Sequence, residues 1–397
     1  APSLAAPCGT GTFEAWLDDF RKEAAAKGIS QSAIQAGLSG VSLDKSVLTR
    51  DQSQKVFSQS FEEFSGRMIP PRLMRGSNKL KQYGSVLSRI EETDGVPGEV
   101  LVAIWGLETD FGVNTGKFQT IRSLATLAYD CRRSEMFQNE TVAALKIVER
   151  GDLSPSEMIG SWAGELGQTQ FLPTHYFNYA VDYDGDGHRN LLRSAPDVIG
   201  STANYIASGL KWRRGEPWLQ EIRVPANLPW DQADLTIKHP RSKWAAWGVT
   251  YADGRPLPKD ELPASVLLPM GRTGPAFLAY ANFAAYTEWN NSLIYSTTAG
   301  YLANRIAGAP PMQRPAKPVP QLPFEQIKEL QHLLVRAGFN VGKVDGVLGQ
   351  ASRSAVKAMQ IKYGLPADSW PTAELLARMR GPAAQARPTA AAMPQAQ

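Results

Sequence analysis

Long apolar runs are missing from this 397-residue chain. The longest, Val100 to Leu107, has eight residues, too short to span a bilayer. Charge of one sign is also scarce. Lys and Arg total 42 against 38 Asp and Glu, a net +4, too dilute for a dedicated nucleic-acid binder but compatible with an anionic polymer. Cysteine is nearly absent. Cys8 and Cys131 permit at most one disulfide, and two unpaired thiols remain the alternative. Pro7 and the position of Cys8 argue against a lipid-modified terminus. What is plentiful is apolar and aromatic: 43% hydrophobic residues, with ten Trp and twelve Tyr. That supplies a real core and excludes disorder of the whole chain. It also supplies rings that stack on sugars. At this length two or three domains are expected.

Helical spacing dominates residues 12–65, through Trp16, Leu17 and Phe20 and then Val56, Phe57, Phe61 and Phe64. Ser30 before Ala33-Ile34 marks a capped helix start. A second helical block runs over roughly 78–150. Residues 213–275 are rich in Pro, Gly and short β-branched runs and predict a small irregular or β-containing insertion. Helices return over 275–307. Six of the sixteen residues 308–323 are Pro, which predicts a stiff extended linker. Residues 324–380 form a compact helical unit, and 381–397 read as a flexible tail.

Candidate chemistry starts at 94–112. Pro97 suits a first helical turn and Gly112 a helix end. Leu101, Ile104 and Glu108 share one face, so Glu108 points with the apolar stripe. A carboxyl losing hydration there favours its protonated form, as a general acid requires. A buried structural Glu is the alternative. In 160–173 three glycines accompany Ser161, Gln168 and Gln170, neutral hydrogen-bonding groups that suit a sugar; a tight helix crossing would use the same residues. Asp182-Tyr-Asp184-Gly-Asp186-Gly187 matches the start of an EF-hand loop, with His188 next to contribute its backbone carbonyl as a ligand and Arg193 where the closing Glu normally falls. Ca²⁺ in a structural role is the expected occupant, ahead of Mg²⁺, with Na⁺ or an ion-free polar turn as alternatives. In the C-terminal unit Leu330, Leu333 and Leu334 line one helical face, and Asp345-Gly346 marks a turn.

These segments together resemble the B-type lytic murein transglycosylases, lysozyme-related enzymes of peptidoglycan. The matching stretches are Val96–Gly112, Leu124–Phe137 with Arg132-Arg133, Ser161–Tyr176, Asp182–Tyr205 and Trp289–Tyr295. The resemblance implies a mainly α, lysozyme-like catalytic domain over 1–307. It places the catalytic acid on Glu108 and glycan contacts on Ser161, Gln170, Met136, Phe137, Tyr205, Asn290 and Tyr295. Trp289 stands where the family usually has Tyr, and Glu165 where a small or apolar residue is common. Asp197 would close the metal loop. The implied reaction uses one acid: Glu108 protonates the bridging oxygen after N-acetylmuramic acid, then takes the proton of that sugar's C6 hydroxyl as it attacks C1. A 1,6-anhydro end results. The rivals are a hydrolytic muramidase assisted by Glu165 or Asp110, and a non-catalytic glycan-binding scaffold. Residues 324–380 resemble the three-helix peptidoglycan-binding domain, with Ser352 replacing a common Thr. The expected setting is an exported, soluble, periplasmic monomer whose partner is the glycan strand, with no nucleic acid.

Overall fold

A helix that is apolar almost all round belongs inside a protein. Gly98–Thr109 is such a helix, with ten of its twelve residues buried. The expected single apolar stripe is therefore too narrow. Packing surrounds the helix, and Glu108 is half-buried at its last turn. In this computed structural model residues 8–9, 11–53 and 59–381 are described. Val56, Phe57 and all but the first residue of the expected tail lie outside the described residues.

The chain forms two compact units that do not follow chain order. The first comprises residues up to 55, Met68–Gly215 and Leu302–Gly308. Here the central helix packs against Pro70–Gln82, Gly84–Asp94 and Ala195–Asn204. Thr120–Tyr129 and Ser134–Arg150 form a further helix pair. Cys8 and Cys131 are joined in a disulfide at the turn between those two helices. Thr12 caps the helix Phe13–Ala26, and Ser30 caps Gln31–Leu38 by accepting from the Ala33 amide at 3.2 Å. A two-stranded ribbon pairs Phe118-Gln119 with Ile159-Gly160.

The second unit holds residues up to Arg67 from position 56, Glu216–Tyr301 and the chain from Ala309 onward. The β-containing insertion is an antiparallel five-stranded sheet. Its strand order is His239–Pro240, Pro263–Leu267, Ala276–Ala279, Leu219–Arg223 and Thr250–Tyr251. Trp244, Val266 and Leu278 fill its core, and the Trp244 indole donates to the Ala264 carbonyl at 2.8 Å. Three helices follow, Phe324–Arg336, Gln350–Lys362 and Ala373–Arg380, around Leu330, Leu334, Val356 and Leu375. Buried Gln331 organises their turn. It accepts from the Gly346 amide at 2.7 Å and donates to the Val347 carbonyl at 2.9 Å and to the Ser352 hydroxyl at 3.0 Å.

The proline-rich segment is extended but strapped down. Gln313 donates to the Glu221 carboxylate and the Ala252 carbonyl, each at 2.9 Å, and the Trp370 indole donates to the Pro320 carbonyl at 2.9 Å. The three-helix module also anchors to the sheet segment. Buried Arg353 donates to the carbonyls of Leu268 and Pro269, and Lys357 pairs with Asp234 at 3.2 Å.

Candidate active site

Beyond Glu108 the backbone turns left-handed for three residues, Asp110 (φ 54°), Phe111 (φ 62°) and Gly112 (φ 87°). Two of these are not glycine, so the turn carries strain that its surroundings must hold. Arg72 does much of the holding. Its guanidinium donates to the Gly106 carbonyl at 2.8 Å and the Met68 carbonyl at 2.8 Å, and pairs with Asp110 at 2.7 Å. Arg75 donates to the Asp110 carbonyl at 2.8 Å and lies over the Phe111 ring. A Cβ on Gly106 would come within 2.8 Å of that ring, so glycine lets Phe111 fold back on the helix. Asp110 is thus committed to two arginines and to the Asn114 amide, away from a role beside Glu108.

The glycine-rich segment lies against the chain that leaves this helix. A Cβ on Gly116 would sit 2.0 Å from the Gly160 carbonyl oxygen, so the two backbones touch. Gln170, itself at φ 52°, donates to the Gly167 carbonyl at 2.9 Å and the Thr115 carbonyl at 3.3 Å. The Ser161 hydroxyl donates to Glu165 at 2.9 Å and accepts from the amides of Ala163 and Glu165. Burial pushes the Glu165 carboxyl up, only partly offset by that serine. Gln168 turns its carboxamide inward, accepting from the Trp105 indole at 2.9 Å and donating to the Leu192 carbonyl at 2.9 Å. The uncharged sugar-facing role expected of Gln168 is therefore replaced by a bridging one.

Tyr205 opens a π-helical turn, Tyr205–Gly209, a form frequent at functional sites. Its ring stacks on His175 at 4.5 Å, and its hydroxyl lies 3.2 Å from the His175 Nε2. Tyr179 and Phe171 complete the aromatic cluster. Burial lowers the pKa of His175, favouring the neutral ring. Sequence reading missed His175, because nothing in its spacing marks it. Met136 is exposed, whereas Phe137 is 2% exposed and lies beneath the Arg133 guanidinium. Trp289, Asn290 and Tyr295 belong to the second unit. Asn290 follows the helix Phe283–Trp289 and accepts from the Ser292 amide at 2.9 Å, and Tyr295 is buried.

In the acidic loop, carboxylate oxygens of Asp182, Asp184 and Asp197 all lie within 4.8 Å of one another. Asp197 is buried. Desolvation first, and then the charge of Asp184, push its carboxyl up against the amides of Asn190, Tyr183 and Asp184. Crowded hard oxygens of like charge fit a hard cation. Asp186 instead accepts from the His188 amide at 2.8 Å and stands outside that trio, while the His188 ring reaches the Gly151 carbonyl.

A central acid-bearing helix, a glycine-rich loop and an aromatic cluster define a lysozyme-like glycan enzyme. The chain belongs to the transglycosylase SLT family, whose domain matches residues 12–304, and a putative peptidoglycan-binding domain matches 325–379. SltB3 from Pseudomonas aeruginosa, crystallised with NAG-anhNAM-pentapeptide, is 41% identical, with 93% of this chain and 99% of that one covered and a TM-score of 0.85. Escherichia coli Slt35, crystallised with calcium, is 31% identical over 73% of this chain and 92% of its own, at a TM-score of 0.62. Membrane-bound lytic murein transglycosylase B of Escherichia coli K12 is 34% identical over 244 residues. That match covers 60% of this chain and 65% of the relative's length. Among the described residues no helix is long and apolar enough to cross a membrane.

Proposed function

We propose that this chain is a lytic transglycosylase that cleaves the β-1,4 bond between N-acetylmuramic acid and N-acetylglucosamine in peptidoglycan, leaving 1,6-anhydro ends. Glu108 is the single acid and base. It gives its proton to the bridging oxygen as the C1–O bond breaks. It then accepts the C6 hydroxyl proton as the C6 oxygen bonds to C1, so no water is consumed. The observation that carries this reading is the restrained turn that presents Glu108 while Asp110 is held by Arg72 and Arg75. Ser161, Gln170, Met136 and Tyr205 of the first unit, with Phe137 supporting from beneath, would contact or shape the bound glycan. The family resemblance also assigns glycan contacts to Trp289, Asn290 and Tyr295. Acid–base help is worth about 10²–10⁴-fold, and positioning must supply much of the rest. The bound anhydro-sugar of SltB3 supports the product assignment.

The C-terminal module would hold the enzyme on the wall, raising local substrate concentration. Asp182, Asp184 and Asp197 would hold a structural Ca²⁺, a reading supported by their convergence and by the crystallisation of Slt35 in complex with calcium. The periplasm is the setting such a substrate requires.

The test is digestion of purified peptidoglycan by the parent protein and by Glu108→Gln, with mass analysis of the released muropeptides. Products lighter than reducing ends by one water, absent with the variant, are expected. Reducing ends would instead favour hydrolysis. That reading would use Glu165, which accepts from the Ser161 hydroxyl at 2.9 Å, as the base that takes the proton of the attacking water. Wall binding with no release would leave a scaffold.

A further inference from the structure

Gln168 ties together two separate pieces of chain, the end of the helix Gly98–Thr109 and the segment at Leu191 and Leu192. Its carboxamide oxygen accepts from the Trp105 indole at 2.9 Å, and its carboxamide nitrogen donates to the Leu192 carbonyl at 2.9 Å. Its own amide donates to the Leu191 carbonyl at 2.9 Å. Its carbonyl accepts from the Thr109 hydroxyl, which in turn accepts from the Gly112 amide at 2.9 Å. Glu108 lies between Trp105 and Thr109, in the same final helical turn. The contact is also close in space: a Cβ on Gly112 would lie 2.4 Å from the Gln168 carboxamide oxygen. Two residues of the acid's own helical turn, Trp105 and Thr109, are therefore fastened to one glutamine. That glutamine is fixed from behind by the buried chain at Leu191, which leads into the helix Ala195–Asn204.

We infer that Gln168 is a positioning residue for Glu108, acting through Trp105 and Thr109 rather than by touching the sugar. Both ends of its carboxamide are engaged with protein. A long, polar side chain with a donor and an acceptor at its tip is what spans an indole N–H on one side and a carbonyl on the other. Methionine has similar length but lacks the strong donor and acceptor. Its sulfur cannot hold the indole as firmly and cannot donate to Leu192. The last turn would then be free to shift by fractions of an ångström, a scale on which reaction geometry is sensitive.

The inference rests on the reading of Glu108 as the acid, and the experiment separates the two. Gln168→Met is assayed for anhydro-muropeptide release, with the Trp105 indole resonance followed by NMR and assigned through Trp105→Phe. The expected result is an upfield shift of the indole proton, kcat reduced about tenfold and KM within about twofold of the parent. An unchanged kcat with the resonance moved would overturn the inference, as would an unmoved resonance. A raised KM at unchanged kcat would also overturn it by making Gln168 a substrate contact. If Gln168→Met does not fold, Thr109→Val, which removes the hydroxyl bridging Gln168 and Gly112, is read by the same kinetics. Release retained by Glu108→Gln would sink the acid assignment itself, whatever Gln168→Met does.

Discussion

Arg72 is the residue whose loss should reach Glu108 most directly from behind the helix. Arg72 is 9% exposed, and its guanidinium supplies two hydrogen bonds to carbonyls and one ion pair. Arg72→Met keeps much of the length and apolar stem but none of the donors. The Gly106 carbonyl keeps the Asp110 amide at 3.0 Å, but the Met68 carbonyl loses its donor, at about 1–3 kcal/mol where water cannot replace it. Removing one partner of a buried ion pair costs about 3–5 kcal/mol. Asp110 is partly solvated, at 24% side-chain exposure, so its share falls toward the low end. These terms overlap, and a total of about 3–4 kcal/mol is expected. For a unit of this size that is about 10 °C in Tm.

The same change removes a restraint on Asp110 and Phe111, whose left-handed backbone costs about 1–2 kcal/mol per residue and relaxes when freed. The turn after Glu108 should then unwind toward ordinary helix, carrying the carboxyl with it. Thermal unfolding and muropeptide release are measured on Arg72→Met and on Asp110→Asn, which removes the charge at nearly constant shape. Loss of both stability and kcat is expected for Arg72→Met, with a smaller loss for Asp110→Asn. An Arg72→Met protein melting within a degree or two of the parent and turning over normally would refute the claim that this guanidinium holds the turn.

Two further outcomes can be checked. Glu165 has a raised pKa, so its neutral form is favoured in the fold, and its unfavourable contribution appears as pH rises through the folded pKa. Glu165→Gln should therefore melt above the parent at pH 7–8, with the difference closing below the ordinary glutamate pKa of about 4.3. Retained transglycosylation in that variant fits the single-acid mechanism, and abolished turnover would not. For the acidic loop, saturating Ca²⁺ at about 100 times its Kd adds about 2.7 kcal/mol of stability. Chelation should lower Tm in the parent but not in Asp184→Asn/Asp197→Asn, and an unchanged parent Tm would remove Ca²⁺ from the account.

The legibility of this chain divides along a physical line. Periodicity exposed the helices, because burial of Trp16, Leu17 and Phe20 or of Leu330 and Leu334 repeats with the helical turn. Proline and β-branched residues exposed the sheet insertion, since both reject a helix interior. Glu108 stands out as a candidate because one carboxylate ends an apolar run. What stayed hidden depends on residues distant in sequence. Arg72 reads as an ordinary basic position on a charged helix, and only folding brings it to Gly106 and Asp110. Gln168 reads as a polar loop residue, and its bridge to Trp105 and Leu192 spans 63 residues in one direction and 24 in the other. The proline-rich strap shows the same limit. Composition predicts its extension, but the partners that fasten it, Glu221, Ala252 and Trp370, come from other segments. A local pattern can announce a reactive group. The groups that hold it in place carry no local signature, because their role is defined by the contact and not by the neighbours along the chain.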